Sequence, residues 1–221
     1  MEHHLAVTRT ARYYQLGELS ASTQHVWFVC HGYGQLAAYF SRHFAFLAEA
    51  NSNTVVVAPE GLSRFYLNGT GGRVGASWMT SDDRLHEIDD HLGFLDQLAD
   101  HVLAQCPAGV RLTVLGFSQG TATVSRWLAQ ARFQPAHLIL WAGGFPADMA
   151  PDVAQQLLHQ LRLTVVVGTE DEYISPSQAA QLQQQLQQLG AAPTLLAFTG
   201  KHELNRAVLE KLAQWSIQTA S

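Results

Sequence analysis

Charge is scarce in this chain. Only 14% of its 221 residues are Asp, Glu, Lys or Arg, and 18 acids against 13 bases leave a net charge of −5. No basic stripe or Lys/Arg cluster interrupts that pattern, which argues against a nucleic-acid partner or an anionic membrane surface. Long apolar runs are missing as well. Nothing approaches the length of a bilayer span, and Met1-Glu2-His3-His4 is not a basic start followed by an apolar stretch, so neither a membrane span nor a signal peptide is expected. Cysteine is limited to Cys30 and Cys106, at no metal-binding spacing. Both read as free thiols, which points to a reducing, cytoplasmic setting. Neither a repeat nor a linker divides the chain.

What remains is a hydrophobic chain (47%) long enough for one α/β domain with a large core, and short for two. Residues 5–10 and 11–17 alternate like an opening antiparallel pair. After them, short apolar runs alternate with amphipathic stretches. His25 to Cys30, Thr54 to Ala58, Val110 to Phe117, His137 to Trp141, Leu163 to Gly168 and Thr194 to Phe198 have the composition of buried strands. The intervals predict helices over 35–51, 82–105 (with Ser81 as N-cap), 119–132, 152–160, 176–189 and 202–218. Strands and helices in that order predict a mostly parallel sheet covered on both faces. Residues 60–81 stand out as a long loop with four glycines between Gly69 and Gly75, and loops of that length are commonly functional.

The chemistry centres on Gly116-Phe117-Ser118-Gln119-Gly120, which closes an apolar strand and opens a helix. In that context the motif is a nucleophile elbow, a sharp turn that lifts the serine hydroxyl clear of the sheet. A serine hydroxyl needs a base to take its proton and a third group to orient the base. The loops at the carboxyl ends of parallel strands are where such groups converge. There the sequence offers Asp171 and then His202, in the chain order Ser118, Asp171, His202. Asp148 occupies a second position from which an acid could reach the histidine, and spacing alone leaves Glu170 and Glu172 open beside Asp171. His159 would break the order, and His31 belongs to a different loop. For the oxyanion, two backbone N–H groups are candidates: that of Gln119, next to the nucleophile, and that of Tyr33 in His31-Gly32-Tyr33-Gly34. Phe65, Tyr66, Leu67, Trp78 and Met79 are candidates to line an acyl site, with core packing as the alternative. Asp83, His86, Glu87, Asp90 and His91 gather acids and imidazoles on one helical face; a solvated face is the reading, and no metal is assigned.

Taken together, these motifs resemble the small α/β-hydrolases of the phospholipase/carboxylesterase group, which includes the acyl-protein thioesterases. The resemblance is carried by His31-Gly32-x-Gly34, Asn68-Gly69, Ser77-Trp78, Gly116-Phe117-Ser118-Gln119-Gly120, Gly144-x-Pro146, Gly168-x-x-Asp171 and His202. It implies a Ser-His-Asp esterase without a cofactor, a long loop shaping an acyl groove, and Asp171 rather than Asp148 as the acid. The chain departs from the group at Gln35, where an acid commonly stands, and at Met79-Thr80, where a Phe-Asp pair is common; both lie near the expected substrate entrance. Expected substrates are small esters of short to medium acyl chains. Acyl thioesters are an alternative, and a ligand-binding protein on an inert hydrolase fold is a second. The oligomeric state is not legible.

Overall fold

The computed structural model describes residues 1–159 and 161–218, with side chains through Ser216. In chain order the elements are β1 (Tyr13–Leu16), β2 (His25–Cys30), α1 (Ala37–Phe40), a 3₁₀ turn (Ser41–Phe44), α2 (Ala45–Ala50) and β3 (Thr54–Pro59). Next come β4 (Ser63–Asn68), β5 (Gly71–Ser77), α3 (Arg84–Leu103), β6 (Arg111–Phe117) and α4 (Gln119–Gln130). The chain continues through β7 (His137–Trp141), α5 (Pro151–Leu158), β8 (Arg162–Gly168), α6 (Pro176–Gln188), β9 (Thr194–Phe198) and α7 (Arg206–Gln218).

Seven strands form one sheet in the order β1-β3-β2-β6-β7-β8-β9. Six of them run parallel, and β1 is antiparallel on the edge. Strand periodicity sorts the side chains onto two faces. Val26, Phe28 and Cys30 of β2 belong to a core cluster shared with residues of α3, α4, α5 and α6, whereas Trp27 and Val29 belong to one shared with α1, α2 and α7. The four central strands are buried almost throughout, as a sheet covered on both sides requires.

The rim at the amino ends of the central strands carries buried histidines. His25 is bonded to the Thr113 hydroxyl at 2.9 Å, and His137 to Thr164 at 2.8 Å and Ser216 of α7 at 3.1 Å. Burial lowers the His25 pKa to about 4 and that of His137 to about 3, with nearby arginines adding to the effect. Arg111 and Arg162 donate to the carbonyls of Ser216 and Trp215 near the carboxyl end of α7, where cations meet the negative end of the helix dipole. Cys30 is buried and Cys106 half-buried, and both are free; burial raises the pKa of each thiol.

Several expectations need correction. Residues 5–10 form no strand. Leu5 and Val7 are exposed, and the edge pair is made instead between β1 and the distant β3, with Tyr13 opposite Pro59. The helix expected over 35–51 is divided by the 3₁₀ turn. Phe40, Phe44 and Leu47 are buried as the pattern requires, while the tighter turn also brings Phe46 inward and leaves Tyr39 exposed. Residues 60–81 are not an irregular loop, because β4 and β5 pair as an antiparallel hairpin. The helix expected from residue 82 begins at Arg84 without a side-chain cap from Ser81, after Asp83 in a left-handed conformation (φ 48°). Glu87 organises that start, accepting the Thr80 N–H and hydroxyl and the Ser63 hydroxyl. The helix expected over 152–160 ends at Leu158, and Gln160 lies outside the described residues. The last helix starts at Arg206, so His202 lies in the connection ahead of it rather than on the helix.

Candidate active site

Ser118 stands between β6 and α4 with φ 52° and ψ −117°, a conformation that costs a non-glycine residue of order 1–3 kcal/mol. The neighbouring glycines make room for that turn. A Cβ at Gly116 would collide with the Gly120 backbone, and one at Gly120 with the carbonyls of Cys30 and His31. Thr121 secures the turn from inside α4, its hydroxyl lying 2.7 Å from the Ser118 carbonyl and 2.8 Å from that of Gly144.

Asp171 follows β8, and its carboxylate is buried to 0% exposure. Oδ1 accepts the N–H groups of Tyr173 and Ile174 at 2.8 and 2.9 Å, while Oδ2 accepts Nδ1–H of His202 at 2.9 Å. The carboxylate is thus held by its own loop and fixes the imidazole in turn. Glu170 and Glu172 point to solvent. Asp148 is engaged elsewhere, at 2.7 Å from Arg84 and 2.6 Å from Arg126, which hold its pKa down to about 2. His159 is an exposed residue at the end of α5.

His202 is wedged between two rings, Phe117 at 5.0 Å and Tyr173 at 4.7 Å between centroids. With Nδ1–H given to Asp171, Nε2 is the basic nitrogen. Ser118 and His202 open onto one cavity of about 550 Å³, whose wall also includes Tyr33, Gln119, Thr121, Phe145, Tyr173 and Ile174.

The His31–Gly34 loop is pinned against the elbow. Gly32 packs so closely that a Cβ there would lie 3.0 Å from the Ser118 Cβ. Its N–H donates to Gln35 Oε1 at 2.8 Å, and the Gly34 N–H to the Ala76 carbonyl at 2.8 Å. Between them, the Tyr33 N–H has no acceptor among the described residues. The Gln119 N–H, at the first position of α4, likewise belongs to the amides that a helix cannot satisfy internally. His31 is structural. Its Nδ1–H donates to the Gly32 carbonyl at 2.7 Å, its Nε2 accepts the Gly61 N–H at 3.0 Å, and burial lowers its pKa to about 4.

The five candidate acyl-site residues lie elsewhere. Trp78 is 1% exposed and donates from its indole to the His31 carbonyl at 2.8 Å, and Met79 packs against the core. Phe65 stacks on Tyr33 at 5.1 Å, Leu67 lies beside Gly34, and Tyr66 is exposed. None of the five is among the residues lining the cavity, although Phe65 packs on Tyr33, which is. Spacing also could not separate the helical face of acids and imidazoles: His91 turns inward to the Trp78 carbonyl, while Asp83 and His86 meet His4 in an exposed cluster.

Three contributors escaped the sequence reading. Phe145 and Tyr173 line the cavity, although the glycine pair before Phe145 and the two-residue step from Asp171 to Tyr173 were available signals. Glu60, buried to 1% exposure, accepts from Arg12 and the Ala37 N–H and pairs with Arg64 at 3.3 Å, tying these segments together beside the His31 loop. A carboxylate inside an apolar run gives no hint of its partners.

The sheet order and the strand-turn-helix at Ser118 define an α/β-hydrolase fold. The chain belongs to the serine hydrolase (FSH1) family, whose sequence profile matches residues 22–207. Its fold is similar to that of esterase PE8 (TM-score 0.72, 18% identity, covering 96% of this chain and 100% of the other). It is also similar to those of the Zea mays acyl-protein thioesterase 2 (0.69, 17%, 93% and 97%) and a carboxylesterase from Mesorhizobium loti (0.69, 18%, 94% and 95%). No curated protein sequence matches the chain significantly. Among the described residues, no helix is long and apolar enough to cross a membrane.

Proposed function

We propose that this serine hydrolase is a carboxylesterase acting through Ser118, His202 and Asp171. The observation that carries the reading is the 2.9 Å bond from His202 to a buried Asp171, with the imidazole and Ser118 facing one cavity. Ser118 attacks the ester carbonyl while His202 Nε2 takes its proton, and Asp171 stabilises the resulting imidazolium. The tetrahedral oxyanion is received by the Tyr33 and Gln119 N–H groups; losing one such donor commonly costs about 3 kcal/mol. His202 then protonates the leaving alcohol, and water activated by the same imidazole releases the acid from the acyl-enzyme. The residues lining the cavity include no Arg, Lys, Asp or Glu, which favours neutral esters over anionic ones. The two free thiols suit a reducing compartment such as the cytoplasm.

The test is turnover of p-nitrophenyl esters from acetyl to octanoyl by the wild type beside Ser118→Ala. Loss of turnover in the variant supports the reading, and equal turnover rejects it. The same acyl chains presented as oxygen esters and as thioesters separate a carboxylesterase from a thioesterase. If a fluorophosphonate fails to label Ser118, the chain is instead a binding protein on this fold.

A further inference from the structure

A second cavity of about 310 Å³ lies between the Phe145–Pro151 segment, α5 and α6. Phe145 lines both this cavity and the catalytic one. We infer that the second cavity is the distal binding site for the hydrocarbon tail of a medium-to-long acyl group whose carbonyl sits at Ser118, with Phe145 at the passage between the two. This rests on Ser118 being the acylated nucleophile.

Three observations select that occupant. First, Phe145 lines both cavities, so the two adjoin at that residue and the second is the neighbouring space for a ligand anchored at Ser118 that outgrows the first. Second, eight of the ten residues lining the second cavity are apolar, Met149, Ala154, Leu186 and Leu189 among them, and the two polar ones, Gln185 and Gln188, are neutral. Among the described residues no charged side chain lines it, so an anionic or cationic ligand would lose hydration there without a counter-charge. Third, Phe145 and Met149 are only half-buried and are themselves packed against the core, so a chain lying along them would complete an existing apolar surface. Burying a methylene strengthens binding about fourfold, by the transfer free energy of roughly 0.8 kcal/mol. This places the length-determining residues on the opposite side of the elbow from the β4–β5 hairpin. Gln185 and Gln188 of α6 then form the wet border of the groove.

The experiment measures kcat/KM for p-nitrophenyl acetate and decanoate with the wild type, Phe145→Ala, Ala147→Trp and Gln188→Trp. The two tryptophans fill the groove from opposite walls, so one can fail to fold without closing the test. Either filled variant is expected to lower the decanoate-to-acetate ratio at least tenfold, and Phe145→Ala to raise it at least threefold. A ratio that stays within twofold of wild type in all folded variants overturns the inference. Calorimetric titration of Ser118→Ala with a neutral decanoate ester, ethyl decanoate, gives a readout independent of turnover. Binding that Gln188→Trp or Ala147→Trp abolishes supports the groove even if no ester is hydrolysed, in which case the esterase reading alone falls. Turnover of esters with ethyl decanoate binding indifferent to both tryptophans leaves the esterase standing and removes the groove.

Discussion

The side chain of Gln119 is bonded to the backbone around Trp78. Its Oε1 accepts the Trp78 N–H at 3.1 Å, and its Nε2 donates to the Met79 carbonyl at 2.7 Å. One residue therefore offers its own N–H to the cavity and uses its side chain to clamp the end of the β4–β5 hairpin onto the elbow. Gln119→Ala keeps the backbone donor and loses the clamp. It is expected to lower stability by about 1–3 kcal/mol, the cost of leaving partly buried peptide groups without partners. Urea midpoints check the stability, and kcat for a butyrate ester is expected to fall less than tenfold.

Asp171 and Asp148 separate by substitution. Asp171→Asn replaces the acceptor of His202 Nδ1–H with an amide that can present its own donor, favouring the wrong tautomer. A drop in kcat of about 10⁴-fold is expected, with the fold retained. Asp148→Asn breaks only half-exposed pairs with Arg84 and Arg126 and is expected to change stability by less than about 1 kcal/mol. Steady-state kinetics on both variants decide; a large loss at Asp148 with none at Asp171 would reverse the assignment.

Acid is expected to unfold the protein through its buried imidazoles. His25, His31 and His91 have pKa values lowered to about 4 and His137 to about 3, chiefly by burial. Each stays neutral in the folded state while its unfolded counterpart takes a proton below about 6.5. The stability they preserve is complete above pH 6.5 and declines as pH falls toward 4. The slope is about 1.4 kcal/mol per pH unit for each group. Melting temperatures between pH 7.5 and 4.5 test this, and a His137→Asn variant that folds is expected to show a shallower decline.

The elbow glycines tolerate no side chain. Gly116→Ala and Gly120→Ala each place a methyl group against backbone that cannot move without displacing Ser118. Destabilisation of several kcal/mol is expected. Gly69→Ala, by contrast, meets no neighbour and suffers only its left-handed conformation (φ 64°), a cost of about 1–2 kcal/mol. Chemical denaturation of the three variants ranks them.

The alternation of buried strands and amphipathic helices was legible because each buried strand is a nearly unbroken apolar run, and the elbow because its glycines answer a local steric need. The meeting of Asp171 and His202 at the rim that carries Ser118 was legible because strand ends determine which loops converge. The hairpin of β4 and β5 was hidden by its glycines and exposed polar residues, which have the composition of a loop although the backbone pairs. Trp78 stayed open between acyl site and core because aromaticity does not say which way a ring faces; its indole bond to the His31 carbonyl and its packing on His31 and His91 hold it inward. Phe145 gave no periodic signal, as its role depends on two cavities meeting across elements far apart in sequence.

Cys30 is sealed in the sheet core and its thiol resists ionisation, whereas Cys106 is half-buried at the far end of α3, away from Ser118. A maleimide dye or spin label is therefore expected to attach at a single place in the unmodified protein. The natural chain carries its own attachment point for following substrate binding by fluorescence or resonance methods, with no engineered cysteine.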